Sequence, residues 1–542
     1  MASLRGADAL ARALARAGVK QVFSLSGNHV MPVYDAALDA RLGIVHVRHE
    51  AAAVHMADAW ARLTNVPGVA LLTGGPGHAN GVSALYTALA SESPLVLLSG
   101  ESPLAERHKG AFQEMRQAEI AAPVVKAAWS AQNPRTIAQD FARAWRHARF
   151  GRPGPVYFGL PFDVLEAKLE ESEVAPLEDS AFDVKPIPLA EAAAQAVLAE
   201  LARAKQPLIL AGPAMATDRG RAALTALGAA TGVPAICMES PRGVNDPALG
   251  AFPRVLKEAD LIVLLGKRAD FTLRYGQAPA VAPGCRFLLL DPDPEALRQA
   301  GYAIGDPSRL ALAALADPFE AAAALAGAAK PARSGWAQEV EAAVRARPAA
   351  WATVTGKPGA VHPAEVGRAV QALLDAAPEP LLVSDGGEFG QWAQACVTAP
   401  TRVINGPAGA IGSALPFALA AKLARPNATV VAMMGDGTFG FHLAEIDTAV
   451  REKLAVTAVV GNDACWNAEH QIQIRAYGRE RAHGCELLPT RYDLAAAGLG
   501  GHGEFVQKGA ELPAALERAS GAGLPACVNV LVERLAAPAA HA

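Results

Sequence analysis

Two acidic residues at the ends of strand-like runs carry the strongest chemical signal in the chain. The run TVVAMM enters Gly435-Asp436-Gly437-Thr438, and a helix-forming stretch follows. A second run, AVTAVV, closes in Gly461-Asn462-Asp463, which puts Asp463 27 residues after Asp436. Glycines that end a strand and open a helix let backbone N–H groups approach a phosphate. A carboxylate in such a turn binds phosphate only through a cation. Hard oxygen ligands suit Mg2+, which takes one or two carboxylates and completes its shell with phosphate oxygens and water. The pair reads as a diphosphate and metal constellation, against the plainer alternative of solvated loop aspartates.

The first third of the chain adds acid–base groups. Glu50 opens an alanine-lined helix in RHEAAAVHMADAWAR, where by itself it would serve as an acid at a helix N-terminus. His29 (SLSGNHVM), His78 (GGPGHANG) and Gln113 (GAFQE) each stand in a loop after a strand. Ligands of parallel α/β sheets bind on that side, so these three are candidate proton carriers.

The elements that must position these groups follow from composition and periodicity. The chain has 542 residues, enough for three or four domains. It is 51% apolar and 19% charged, which excludes a disordered chain. Its formal charge is −4, which argues against a nucleic-acid or membrane-surface partner. The longest pure apolar runs, such as Leu261 to Leu265, are strand-sized, and no membrane span is expected. Six scattered cysteines without a CxxC pair point to a reducing cytoplasm rather than a disulfide scaffold or zinc cage.

Short apolar strands alternate with Ala- and Leu-rich helices throughout, the pattern of parallel α/β sheets. Near the N-terminus, Leu10 and Leu14 sit at helical spacing and Gly18 stops the helix before VKQVFSLSG. The segment therefore reads as structure rather than a transit peptide. The pattern resets three times, giving α/β domains over 1–165, 190–325 and 360–535. The acidic, Pro-containing stretch 166–188 and residues 326–360 read as linkers, and the tail after Glu533 as frayed.

The GDG turn with its closing Asn-Asp pair resembles the thiamine diphosphate fingerprint of the acetohydroxyacid synthase and decarboxylase superfamily. Asp463 stands where Asn is usual, which keeps an oxygen ligand and adds a charge. RHEAAA followed by VALLTGGPGHANG is similar to that superfamily's pyrimidine-binding domain, and GPAGAIGSALPFALAA to its cofactor-shaping segment. The resemblance implies three parallel-sheet domains in the order pyrimidine-binding, central, diphosphate-binding, with thiamine diphosphate and Mg2+ as cofactors. It places Glu50 at the acid that activates the cofactor, and Ile411 and Gly409 beside the cofactor's rings. It gives the diphosphate to Gly387, Glu388, Phe389 and Gly435 to Thr438, and the metal to Asp436, Asp463 and the carbonyl of Cys465. Because the family pairs the Glu of one subunit with the diphosphate site of another, a homodimer is the expected minimum and a homotetramer the expected assembly.

Within the superfamily, GNH followed by ALD, RHEAAA and HMADAWAR resembles benzaldehyde lyase, while His78 is closer to cyclohexane-1,2-dione hydrolase. His29 and Gln113 fall on catalytic positions of the former. Asn28, Phe112, Trp466 and Asn467 are the expected pocket residues. The implied activity is a carbon–carbon lyase or carboligase acting on 2-hydroxy ketones or 2-oxo acids. An acetolactate synthase-like transferase is the alternative, since GAFQE and Lys126 are also similar to that enzyme. Its Gly-Met-His-Gly stretch is missing from ALGAFPRVLKEADLIVLLG, so FAD is not expected. GKRADFTLRYG is similar to the central domain of 2-hydroxyacyl-CoA lyases and oxalyl-CoA decarboxylase, which makes Arg268 and Arg274 candidates for an ADP-like group and gives a further alternative.

Overall fold

The computed structural model describes residues 3–329 and 335–538. They form two compact units. The first takes residues to Lys185 with the short stretches 419–424 and 447–452, and the second takes the remainder.

The first unit is built on a six-stranded parallel sheet. Its strands lie in the order Gly43–His46, Gln21–Ser24, Gly68–Leu72, Leu95–Glu101, Pro155–Pro161, Ala128–Ser130. Strands Gly68–Leu72, Leu95–Glu101 and Pro155–Pro161 are buried along their whole length, as a sheet covered by helices on both faces requires. Helix Gly6–Arg16 turns Leu10 and Leu14 into this core beside Phe141 and Trp145 of helix Ile137–Arg149. Gly18, with φ of 82°, takes the chain out of the first helix as its sequence position suggested.

The second unit holds two parallel sheets. The central one has five strands, in the order Ala235–Cys237, Pro207–Ala211, Leu261–Leu265, Arg286–Asp291, Leu310–Leu315. The C-terminal one has six, in the order Thr401–Ile404, Pro380–Asp385, Thr429–Gly435, Thr457–Asn462, Ala526–Leu531, His502–Val506. Numbered within their own sheets, the strands of the first and last sheets have the same order: second, first, third, fourth, sixth, fifth. In both, connections leave in opposite directions from between the first and third strands, the switch point at which parallel α/β sheets open a crevice.

Three segments read as loose chain are packed structure instead. Strand Lys168–Glu170 pairs antiparallel with Ser3–Arg5, and Phe182 packs against Phe141, so most of the first linker belongs to the first unit. Burying a ring of that size contributes about 1.5–3 kcal/mol, which outweighs the acidic composition around it. Helix Gly335–Arg345 buries Trp336, Val340 and Ala343 in the central core, and the Trp336 indole donates to the Pro207 carbonyl at 2.9 Å. Residues 330–334 of that second linker lie outside the described residues. The tail is tied down at Leu535 and Ala536, and residues 539–542 lie outside the described residues. Trp392 Nε1 donates to the Ala536 carbonyl at 3.0 Å, and Asn467 Nδ2 to the Leu535 carbonyl at 2.8 Å.

Candidate active site

In the second unit, the crevice at the carboxyl ends of the C-terminal strands gathers most of the residues assigned to diphosphate and metal. A cleft of about 440 Å3 is lined by Gly387, Glu388, Phe389, Ile411, the run Gly435 to Thr438, Asp463, Cys465, Trp466 and Asn467. Gly435 and Gly461 are register partners on adjacent strands, so the two acidic turns leave the sheet side by side. Gly409 does not join them. It is exposed, in a left-handed turn with φ of 65°, and only its neighbour Ile411 reaches the cleft.

The glycines are demanded by close approach. A Cβ on Gly437 would lie 2.5 Å from the Trp466 ring, and one on Gly461 would lie 2.2 Å from Phe389. A Cβ on Gly435 would meet nothing within 4 Å, because that position faces open space. Where one helix was expected after the GDG turn there are two, Asp436–Phe441 and Glu445–Arg451. His442 interrupts them by turning its Nδ1 to the Gly412 carbonyl at 2.7 Å.

The cleft holds two carboxyls close enough for the charge of one to raise the other. Asp436 is buried, and its Oδ2 has no hydrogen-bond partner. Burial pushes its carboxyl up to about 6. Burial, with the charge of Asp436 beside it, pushes Asp463 up to about 7. Among the described residues no group of three or more His, Cys, Asp or Glu is arranged for a metal. A cation placed here would find two carboxylates, the acidic part of the donor set Mg2+ favours. Glu388, at the start of helix Glu388–Cys396, accepts from Gln391 Nε2 at 2.9 Å and is also raised by burial.

In the first unit, the other group of residues surrounds the turn after strand Gly68–Leu72. Glu50 is buried at the start of helix Glu50–Thr64 and accepts a hydrogen bond from Asn80 Nδ2 at 3.0 Å. A Cβ on Gly77 would lie 3.3 Å from Glu50 Oε1, and one on Gly75 would lie 2.8 Å from Gln113 Cβ. His29 is buried, with its Nδ1 3.5 Å from Thr73 Oγ1 and its ring stacked on Phe112 at 5.9 Å. Burial lowers the His29 pKa, favouring a neutral imidazole. The turn thus brings Glu50, His29, Phe112 and Gln113 together, while Asn28 stands exposed at the start of the short turn Asn28–Val30.

His78 is not among them. Its ring is fully buried, with Nδ1 3.0 Å from Ser99 Oγ and the Tyr157 ring 4.8 Å away. Burial drives its pKa down to about 4. His78 therefore packs behind the turn against Ser99 and Tyr157, apart from the group around Glu50.

Comparison with known proteins finds matches in three stretches of the chain. Residues 4–120 match the family model "Thiamine pyrophosphate enzyme, N-terminal TPP binding domain", 194–315 the central domain and 385–530 the C-terminal TPP binding domain of the same family. The chain is 34% identical to a "Probable acetolactate synthase" of Mycobacterium bovis, over 97% of this chain and 95% of the relative. It is 32% identical to a human "2-hydroxyacyl-CoA lyase 2", over 98% and 91%.

The chain belongs to the thiamine pyrophosphate enzyme family.

This thiamine pyrophosphate-dependent enzyme contains further groups that sequence reasoning passed over. Asp385, fully buried before Gly386, accepts from Ser413 Oγ at 3.0 Å and from the Ala414 amide at 3.1 Å, and burial raises it to about 6. Gln117 accepts from the Gly75 amide at 2.6 Å and donates to the Gly100 carbonyl at 3.0 Å, fixing the turn beside Glu50. Tyr157 and Ser130 each donate to Glu101 at 2.7 Å beneath it. Buried polar residues scattered through apolar runs were the available signal, but their partners lie tens of residues away. Lys126, one of the synthase-like features, directs its ammonium to the carbonyls of His147 and Phe150 at the end of helix Ile137–Arg149.

Proposed function

We propose that this thiamine pyrophosphate-dependent enzyme uses Mg2+ and makes or breaks a carbon–carbon bond next to a carbonyl, acting on 2-hydroxy ketones or 2-oxo acids. The observation that carries the metal reading is the convergence of Asp436 and Asp463 on one cleft, with a buried Asp436 oxygen left unpartnered. Asp436, Asp463 and the carbonyl of Cys465 would hold Mg2+. Gly387, Glu388, Phe389 and Gly435 to Thr438 would hold the diphosphate, with Ile411 against the rings. The cofactor supplies an electron sink that makes cleavage and formation of such bonds feasible.

The chain's own residues supply position and protons. Glu50 is the acid for the pyrimidine ring, held by Asn80. His29 and Gln113, set around the turn 73–77, would meet the substrate, His29 to carry protons and Gln113 to hydrogen-bond, with Phe112 and Asn28 beside them, while Trp466 and Asn467 would line the cleft of the second unit. Glu50 would serve the diphosphate site of a partner copy, which makes a homodimer the smallest active form and a homotetramer the proposed assembly. No helix among the described residues is long and apolar enough to cross a membrane. The six cysteines form no disulfide among the described residues, which supports a cytoplasmic location.

The two relatives bear names of opposite direction, one a synthase and one a lyase, and a single site of this kind runs both ways. Incubating the enzyme with thiamine pyrophosphate, Mg2+ and, separately, pyruvate, benzoin, acetoin, glyoxylate and a 2-hydroxyacyl-CoA, then identifying products, tests the proposal. Turnover of none of them would sink it. Acetolactate from pyruvate together with a yellow flavin absorbance band would favour the synthase alternative.

A further inference from the structure

The loop between the two proposed metal ligands Asp463 and Cys465 contains a conformation that needs holding. Ala464, the residue between them, has φ of 51°. A non-glycine residue in the left-handed region costs roughly 1–2 kcal/mol and persists only where its surroundings impose it. Here three groups do so. The Ala464 amide donates to Asn462 Oδ1 at 3.2 Å, and the Ala464 carbonyl accepts from the Leu487 amide at 2.8 Å and from Arg534 Nη2 at 3.0 Å. Asn462 is itself fixed, with its Nδ2 directed to the Thr490 carbonyl and to Asn529 Oδ1.

Arg534 does more than cap one carbonyl. Its Nε and Nη2 also reach the Asp463 carbonyl, at 3.2 and 3.1 Å, so one guanidinium grips two successive carbonyls. The third nitrogen, Nη1, is 3.3 Å from Glu486 Oε1, in the segment that runs alongside the loop. With both carbonyls drawn to Arg534, Asp463 and Cys465 still line the cleft on either side of the turn. The planar fork of arginine can span two acceptors at fixed spacing, which a lysine ammonium cannot do.

We infer that Arg534 is a positioning residue of the metal loop, acting by holding Ala464 in its left-handed conformation so that Asp463 and the Cys465 carbonyl address one cation. The inference rests on the metal reading of this cleft, and the test separates the two.

Mn2+, visible by electron paramagnetic resonance, is titrated into the full-length protein with thiamine pyrophosphate present. Arg534→Gln should bind Mn2+ about 10–100-fold more weakly than wild type, the usual cost of losing a residue that orients a ligand. Arg534→Lys should be nearly as weak, because charge without the fork does not hold the turn. Adding Ala464→Gly to Arg534→Gln should recover most of the loss, since glycine takes this conformation at little cost. Wild-type affinity in Arg534→Lys would mean that charge alone matters, and would overturn the inference. So would an unchanged Arg534→Gln, or a double variant no better than the single one. Failure of the wild type to bind Mn2+ would instead strike the metal reading itself.

Discussion

Gly435 and Gly461 face each other across adjacent parallel strands, and the acidic residues that follow them, Asp436 and Asp463, enter one cleft. That register explains why two turns 27 residues apart act as one feature, and it makes their charges interdependent.

The first consequence is a pH dependence of opposite sign with and without metal. Both carboxyls are raised in the folded protein, from an ordinary 3.8 to about 6 for Asp436 and about 7 for Asp463. A raised acid binds more protons folded than unfolded, so its favourable contribution is present below about pH 4 and is lost as pH rises through 6 to 7. A divalent cation binds the deprotonated form and reverses this. The rise in melting temperature on adding Mg2+ and thiamine pyrophosphate should therefore grow steadily from pH 5 to pH 8, and a flat shift would count against the site.

Asp463→Asn removes one of the two charges and keeps an oxygen. It should retain activity at saturating Mg2+ and reduce the gap between apo stability at pH 5 and at pH 8. Asp436→Asn should lose metal binding by at least about tenfold, because it takes the charge from the buried oxygen that has no other partner. Calorimetric Mg2+ titration of both variants decides the matter.

Glu50→Gln should bind thiamine pyrophosphate within a few-fold of wild type and turn over at least about 100-fold more slowly, the scale of a lost acid–base group. Exchange of the cofactor's C2 proton in deuterated water, followed by NMR, should slow in parallel. Asn80→Ala, which removes one hydrogen bond to Glu50, should fall between the two. Unchanged proton exchange in Glu50→Gln would remove Glu50 from the chemistry.

Gly461→Ala tests packing rather than chemistry. The added methyl would sit 2.2 Å from the Phe389 ring, whose helix begins with Glu388. Overpacking of this kind costs about 1–3 kcal/mol and should lower the melting temperature. Gly435→Ala, with open space at that position, should leave stability nearly unchanged while weakening cofactor binding. The contrast between the two is read from thermal unfolding and cofactor titration side by side.

The chain by itself determined its long apolar core strands, its helix at Leu10 and Leu14, and the glycine and aspartate turns, because periodicity and turn chemistry are local properties that a short window contains. It could not determine direction within a helix turn. Gly77 and Asn80, three apart, face Glu50, while His78, about 100° further round, faces Ser99 and Tyr157 in the core. Nor could composition reveal that Phe182 and Trp336 would anchor supposed linkers, or that Arg534 would reach back 70 residues to the Ala464 carbonyl. Those outcomes depend on what lies opposite each side chain once distant segments meet, and only tertiary packing sets that.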